Sequence, residues 1–436
     1  MRGSARSALV LVAVVFGAVA YPTSQAPQLK QSAYLKASNP VEDAHFGCGG
    51  TLTGHAGNAM AISQDGTTMA IGAPHESSGA KGINGNQNDK SVYSAGAVYV
   101  FTKAGNSWAQ QAYVKASNPM QSANFGSTIA LSRDGNTMAV AAYYESSAAT
   151  GINGNQDDRS IPEAGAVYVF TRTGTTWAQQ AYVKSSMTRA NVLFGYGVGL
   201  SANGDTLAVA EYDADRGKGA LYVLTRTGGV WTHQARIQAT NGEPQDSLGY
   251  SIAISEDGNT IAAGAADEDC LTPGVNPPGC DHDQSDNTSA GAAYVFVRDG
   301  ATWTQQAFLK ASNPGKEDWF GVRIAISGDG NTVAVGAPNE DSAAKGINGD
   351  MNDNSADEAG AVYVYTRSGT TWTQQAYVKP SNTRTEWEFG TSLALNRDGR
   401  ILVAGARGED SGAKGVNGNQ NDHSVRGSGA AYVFTR

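Results

Sequence analysis

A unit of roughly 70 residues recurs six times along this chain, and nothing else in the sequence restricts the fold as much. One marker is a turn dipeptide: Asp65-Gly66, Asp134-Gly135, Asn203-Gly204, Asp257-Gly258, Asp329-Gly330 and Asp398-Gly399, at steps of 69, 69, 54, 72 and 69. A second is an apolar strand signal that opens on Gly96, Gly165, Gly219, Gly291, Gly360 and Gly429. A third is Trp at 108, 177, 231, 303 and 372. Each unit holds four short strand signals; in the second they run Gly126 to Ser132, Thr137 to Ala142, Gly165 to Thr171 and Trp177 to Lys184. Asp and Gly suit the tight turn between the first two, which needs positive φ. A lone four-stranded sheet leaves both faces wet, and a ring of such sheets covers them.

The spacing therefore predicts an all-β fold, a six-bladed β-propeller of four-stranded blades, in one domain over residues 31–436. Gln31-Ser-Ala-Tyr-Leu-Lys36 copies the fourth-strand segments that end at Lys115 and Lys379, and the last unit stops after its third strand. Residues 31–36 are expected to supply the outer strand of the sixth blade and so close the ring.

Composition agrees: 54 of 436 residues are Gly, 40% are hydrophobic and only 16% are charged, which suits turn-rich β structure and excludes a coiled coil. The net charge of −9, without any Lys/Arg block, excludes a nucleic-acid surface and predicts no such partner. Arg2 and Arg6, an apolar run from Ala8 to Val19 and Ala18-Val-Ala20 read as a signal peptide over residues 1–20, followed by a short segment 21–30. Cleavage makes the mature charge −11, and no transmembrane segment is expected in the mature chain. Cys270 and Cys280 are expected to form a disulfide in an exported protein, leaving Cys48. The expected location is secreted, extracellular or cell-surface, or periplasmic, and the chain is expected to be a monomer.

The units resemble the FG-GAP repeat of the integrin α-subunit propeller. Phe125-Gly126, Phe194-Gly195, Phe320-Gly321 and Phe389-Gly390 match its "FG", Gly72-Ala-Pro74 and Gly336-Ala-Pro338 its "GAP", and Gly96 to Phe101 the strand that follows. The resemblance covers nearly the whole mature chain. It implies an adhesion-type module that binds through one face. Integrin propellers have seven blades and a calcium loop between the first two strands of a repeat. Here that place holds only Ser-Arg-Asp134-Gly-Asn-Thr137, too short to surround a cation. The family's calcium site is therefore not carried over.

Strand parity puts the two tight turns of each unit on one face and the long connections on the other. Binding residues favour long loops on a rigid frame. Glu76, Glu145, Glu268, Glu340 and Glu409 end the second strand on that face, with Asp213 nearby in the third unit. These Glu are ligand candidates, with a solvated rim or a set of backbone caps as the competing readings. Asn348, Asp350, Asn352 and Asp353, and likewise Asn84, Asn86, Asn88 and Asp89, place side-chain oxygens with Gly between them. That pattern makes them candidate Ca2+ loops; the same residues also cap turns on their own backbone. The repeated Trp reads as packing between blades, and the repeated Lys36, Lys115, Lys184, Lys310 and Lys379 as outer-strand charges against edge pairing. Trp319 and Trp387 stand outside the repeat, beside carboxylates, and are expected to be exposed contacts for a glycan or protein.

The six His residues share no repeat position, and no catalytic motif appears. The leading reading is a non-enzymatic secreted or surface module that binds an extracellular protein or glycan through its loop-rich face. A propeller enzyme acting on polysaccharide or lactone, and a structural surface protein, are the rivals.

Overall fold

The computed structural model describes residues 33–40, 42–47, 58–280, 288–414 and 416–436. The leader 1–20, residues 21–30, Gln31, Ser32 and Cys48 lie outside them. The strands fall into six antiparallel sheets in chain order. Blade 1 holds β1 (Met60–Ile62), β2 (Thr68–Ala73), β3 (Ala97–Ala104) and β4 (Ser107–Val114). Blade 2 holds β5 (Ile129–Leu131), β6 (Thr137–Ala142), β7 (Ala166–Thr173) and β8 (Thr176–Val183). Blade 3 holds β9 (Phe194–Leu200), β10 (Thr206–Glu211), β11 (Ala220–Thr227) and β12 (Val230–Ile237). Blade 4 holds β13 (Leu248–Ile254), β14 (Thr260–Ala265), β15 (Ala292–Asp299) and β16 (Thr302–Leu309). Blade 5 holds β17 (Arg323–Ile326), β18 (Thr332–Ala337), β19 (Ala361–Ser368) and β20 (Thr371–Val378). Blade 6 holds β21 (Phe389–Leu395), β22 (Ile401–Ala406) and β23 (Ala430–Thr435). This is the predicted six-bladed propeller.

The sequence builds each blade in the same way. In blade 2, Ser132 Oγ donates to Asp134 Oδ1 (2.6 Å), Asn136 N donates to the same oxygen (3.0 Å), and Thr137 N donates to Ser132 Oγ (2.9 Å). The first hairpin is thus closed by its own side chains. The third strand reads as an unbroken apolar run because both its faces are covered: Ala166 to Phe170 are all fully buried. A register shift interrupts the pairing of third and fourth strands in all five four-stranded blades. Such a bulge increases the local twist.

The joints between blades explain the repeat markers. The Gly that opens the third strand lies against the next blade's backbone: a Cβ on Gly96 (φ +83°) would sit 2.1 Å from Phe125 O. The repeated Trp forms a latch, as expected of packing between blades. Trp177 Nε1 donates to Gln111 Oε1 of blade 1 (2.9 Å), while Arg172 lies over the Trp177 ring and donates to Gln111 and to Thr68 Oγ1 (both 3.1 Å). Arg226/Trp231, Arg298/Trp303 and Arg367/Trp372 repeat the latch at the next three joints. The joint between blades 5 and 6 keeps only Arg436 on Thr332 (3.2 Å).

The expected closure is not formed by residues 33–36, the part of the segment that the structure describes: among the described residues blade 6 has three strands, and residues 33–36 adopt none. Tyr34 is 77% exposed, whereas its counterparts Tyr113, Tyr182 and Tyr377 are fully buried. Downstream, Asn39 is seated on blade 1, donating to Glu76 Oε1 (3.3 Å) and to Gln87 O (2.7 Å). Blades 1 to 6 touch in series, and among the strands no comparable contact joins blade 6 to blade 1. Met60 and Ile62 on one side of this seam and Val433 on the other are exposed. The downstream end of the segment is thus held on blade 1.

Candidate functional site

The face carrying the long connections rests on buried ion pairs. Glu76, Glu145 and Glu340 meet Lys115, Lys184 and Lys379 at 2.8, 2.7 and 2.8 Å, and Glu268 meets Lys310. All four Lys are fully buried. Burial lowers their pKa, and the facing carboxylate opposes that shift. These Lys are therefore not edge charges in solvent, as the sequence suggested. Each sits two residues beyond a buried Tyr or Phe of the fourth strand, hence on the same inward face.

The Glu residues are equally engaged. Asn118 and Asn313 donate to Glu145 and Glu340 (3.0 and 2.9 Å), Ser147 N donates to Glu145 (3.1 Å), and Tyr377 Oη donates to Glu340 (2.8 Å). Glu76, Glu145, Glu268, Glu340 and Glu409 all lie beneath the surface rather than on a rim. The first four tie their long connections to the fourth strand of the blade. Blade 3 lacks the Lys. There Arg236 meets Asp215 at 2.7 Å and Glu211 at 3.8 Å.

The candidate cation loops are used by their own backbone. Asn348 Oδ1 accepts Tyr377 N (2.9 Å), Asp350 Oδ1 accepts Asn352 N (3.0 Å) and Asp353 Oδ1 accepts Ser355 N (3.1 Å). Asn84, Asn86 and Asp89 accept Tyr113 N, Asn88 N and Ser91 N at 2.9, 3.1 and 2.9 Å. Among the described residues no three His, Cys, Asp or Glu side chains gather in a metal-holding group. These residues therefore cap their own turns, the second of the two readings of the pattern. Cys270 and Cys280 are disulfide-bonded, with Cα atoms 5.5 Å apart, in the long connection of blade 4.

Trp387 is a correction. It is 2% exposed, near His423 (ring centroids 6.3 Å apart), so it packs rather than projects. It occupies the position, two before the "FG" Phe, where other units carry Ala44, Ala123, Val192, Asp246 or Asp318. Trp319, its neighbour in the pattern, is half-buried.

Two cavities open on this face. One, of about 410 Å³, lies between blades 3 and 4 and is lined by Tyr212, Asp213, Gln245, Ser247, Asp267 and Asp269. The other, of about 390 Å³, is lined by Asn313, Asp318, Glu340, Asp341, Met351 and Asn352. Burial raises the carboxyl pKa of Asp267 and Asp213, and pushes Asp318 up to about 7. Asp246, packed near Glu268 and Asp269, is also pushed up to about 7 by burial. Both Asp246 and Asp318 accept backbone N–H groups, from Glu243 (2.6 Å) and Gly315 (2.7 Å).

Beside the first cavity lies a tyrosine patch that the sequence reading missed. Tyr196 and Tyr212 stack at 4.5 Å, Tyr250 stands edge-on to both at 5.4 and 5.7 Å, and Tyr143 joins Tyr196 to Tyr144 at 5.6 and 4.4 Å. Tyr144, Tyr196, Tyr212 and Tyr250 are half-buried. A signal was present: Tyr143 and Tyr212 replace the Pro of "GAP", and Tyr196 and Tyr250 follow the "FG" Gly, in blades 2 to 4 only. The departures from the repeat converge where the face is concave and aromatic.

The FG-GAP repeat family matches residues 108–170, 231–296 and 303–365. No curated protein matches the chain. Similar solved structures include a protein provisionally assigned as a 6-phosphogluconolactonase, from Bacteroides uniformis ATCC 8492. It has 11% identity and a TM-score of 0.47, with 86% of this chain and 87% of that one covered. Hydrazine synthase of Kuenenia stuttgartiensis is another, at 11% identity and TM-score 0.46, with 86% and 82% covered. Likeness at this level carries no argument about activity.

Proposed function

We propose that this chain, a propeller of FG-GAP repeats, is a non-enzymatic binding module of the cell exterior that takes a glycan or protein ligand on its loop-bearing face. The observation that carries the reading is the half-buried patch Tyr144, Tyr196, Tyr212 and Tyr250, still partly open to solvent, beside the cavity of Asp213, Asp267 and Asp269. Aromatic faces take the apolar side of a sugar ring or a side chain, and carboxylates accept hydroxyl or ammonium donors. The signal-peptide reading, the disulfide and the absence of a membrane-spanning helix among the described residues suit an exported protein.

The test is direct binding of the mature protein to arrayed glycans and matrix proteins. Tyr212→Ala and Asp267→Asn should each weaken the strongest binding about tenfold or more. Unchanged binding in both variants would sink the reading. Turnover of a polysaccharide or lactone would replace it with the enzymatic one.

A further inference from the structure

The long connections of blades 1, 2 and 6 carry Gln at one position of the repeat, and that of blade 5 carries Met. The segments read Asn86-Gln87-Asn88, Asn155-Gln156-Asp157, Asn419-Gln420-Asn421 and Asp350-Met351-Asn352. A Ser-Asn pair holds this position each time. The Asn amide donates to the backbone oxygen: Asn39 to Gln87, Asn118 to Gln156, Asn313 to Met351 and Asn382 to Gln420, at 2.7, 2.7, 2.7 and 3.0 Å. The four backbones are therefore seated alike. The Ser hydroxyl donates to the side chain. Ser38 and Ser117 donate to Gln87 Oε1 and Gln156 Oε1, and Ser381 donates to Gln420 Oε1 (2.6 Å). Ser312 Oγ instead meets Met351 Sδ, at 3.1 Å.

A thioether is a weak acceptor, so blade 5 makes this contact without its usual oxygen. The Ser312 hydroxyl is held in place from its other side, where its Oγ accepts Gln374 Nε2 (3.0 Å). Met351 is half-buried. It packs against the apolar core between blades 4 and 5 and also lines the cavity of about 390 Å³ on the loop-bearing face. Met351 thus stands between a fixed hydroxyl donor and a space that opens to solvent. In a Met side chain Sδ follows Cγ, as Cδ does in Gln. An oxygen bonded to Sδ therefore takes the place of Gln Oε1, after a small rotation that the flexible Met side chain allows.

We infer that Met351 is a site of reversible oxidation, at which a peroxide converts the thioether to the sulfoxide and the new oxygen accepts the Ser312 hydroxyl as Gln Oε1 does in blades 1, 2 and 6. With hydrogen peroxide, a sulfur lone pair attacks one oxygen, the O–O bond breaks and an S–O bond forms. The other oxygen leaves as water, carrying both protons. Sulfur loses two electrons and the peroxide gains them. Enzymes that reduce methionine sulfoxide reverse the step. The Cys270–Cys280 disulfide is of the kind kept in oxidising surroundings, where such oxidants act. Sulfoxide formation disrupts packing where an apolar side chain turns polar without a partner. Here the repeat has already placed the donor.

The test is hydrogen peroxide on the mature protein, read by mass spectrometry of its peptides and by amide hydrogen exchange over residues 346–355. Exposed Met60 and Met187 gauge the dose, and fully buried Met138 marks its upper limit. Sulfoxide should appear at Met351 while Met138 is still a thioether. Exchange over 346–355 should then slow about fivefold, the effect expected of one restored hydrogen bond. Met351→Gln should show the same slowing without peroxide, and Met351→Leu should show none with it. A Met351 that is still a thioether when Met138 begins to react would overturn the inference. So would exchange that is unchanged or faster in the oxidised protein or in Met351→Gln, or slowing by peroxide that persists in Met351→Leu.

Discussion

Five joints of the ring and the sixth are built from the same repeat, yet they differ in what holds them. From blade 1 to blade 6, a backbone bond links each first hairpin to the next: Gln64 N to Arg133 O, Arg133 N to Ala202 O, Ala202 N to Glu256 O, Glu256 N to Gly328 O and Asp329 N to Arg397 O, at 2.9 to 3.1 Å. Four of these joints add the full Arg–Trp–Gln–Thr latch, and the fifth keeps Arg436 on Thr332. The sixth has lost the Arg, the Thr and the Gln together, with Lys103, Ile401 and Ser32 in their places in the repeat. Repetition alone would make six equal joints. Concerted loss at one of them marks the place where chain ends meet and where a ring of this kind parts.

The largest effect should come from breaking a buried pair. Glu340→Ala leaves Lys379 fully buried and unpaired, and should cost about 3–5 kcal/mol by chemical denaturation. Glu409→Ala sharpens the comparison: a similar loss means that blade 6 pairs with Lys36, and a negligible one means that its seam stays parted. Next, Arg367→Ala removes the guanidinium's bonds to Gln306 and Asn331 and its contact over Trp372, and should cost about 2 kcal/mol. Lys103→Ala at the unlatched joint should cost no more than about 0.5 kcal/mol. Equal losses at 367 and 103 would erase the distinction between joints.

A smaller effect concerns pH. The folded chain keeps a proton on Asp318 up to about pH 7, whereas an unfolded Asp releases it near 3.9. The folded state binds more protons in that interval, so the contribution of Asp318 is complete at acid pH and is lost as pH rises from about 4 to about 7. Asp318→Asn should flatten the fall of Tm over that range; an unchanged profile would show that Asp318 titrates normally. The smallest effect is expected from calcium. Millimolar Ca2+ should leave Tm where chelator leaves it, because the loop oxygens already accept backbone N–H groups. A clear rise would return the cation to the Asn/Asp loops.

The blade count, the hairpins and the packing role of the repeated Trp were legible because each repeats, and repetition exposes backbone requirements. The buried Lys was legible in principle, since Lys115 lies two residues from Tyr113 on one strand face, but its charge argued for solvent until Glu76 was placed beside it. Trp387 misled because neighbouring carboxylates suggest exposure, while its place before the "FG" Phe is an interior one. The tyrosine patch escaped notice because its members lie in three units and only the ring brings them together. The segment 31–36 was readable as a copy of the fourth strands, yet residues 33–36 form no strand, at a joint whose side chains have changed.

The most direct measurement is the melting temperature of the mature chain beside that of the same chain begun at Ala37. The structure predicts the same Tm for both, because residues 33–36 form no strand and Tyr34 and Lys36 are exposed. A clearly lower Tm in the shortened chain would show that the segment upstream of Ala37 holds the ring and would contradict this.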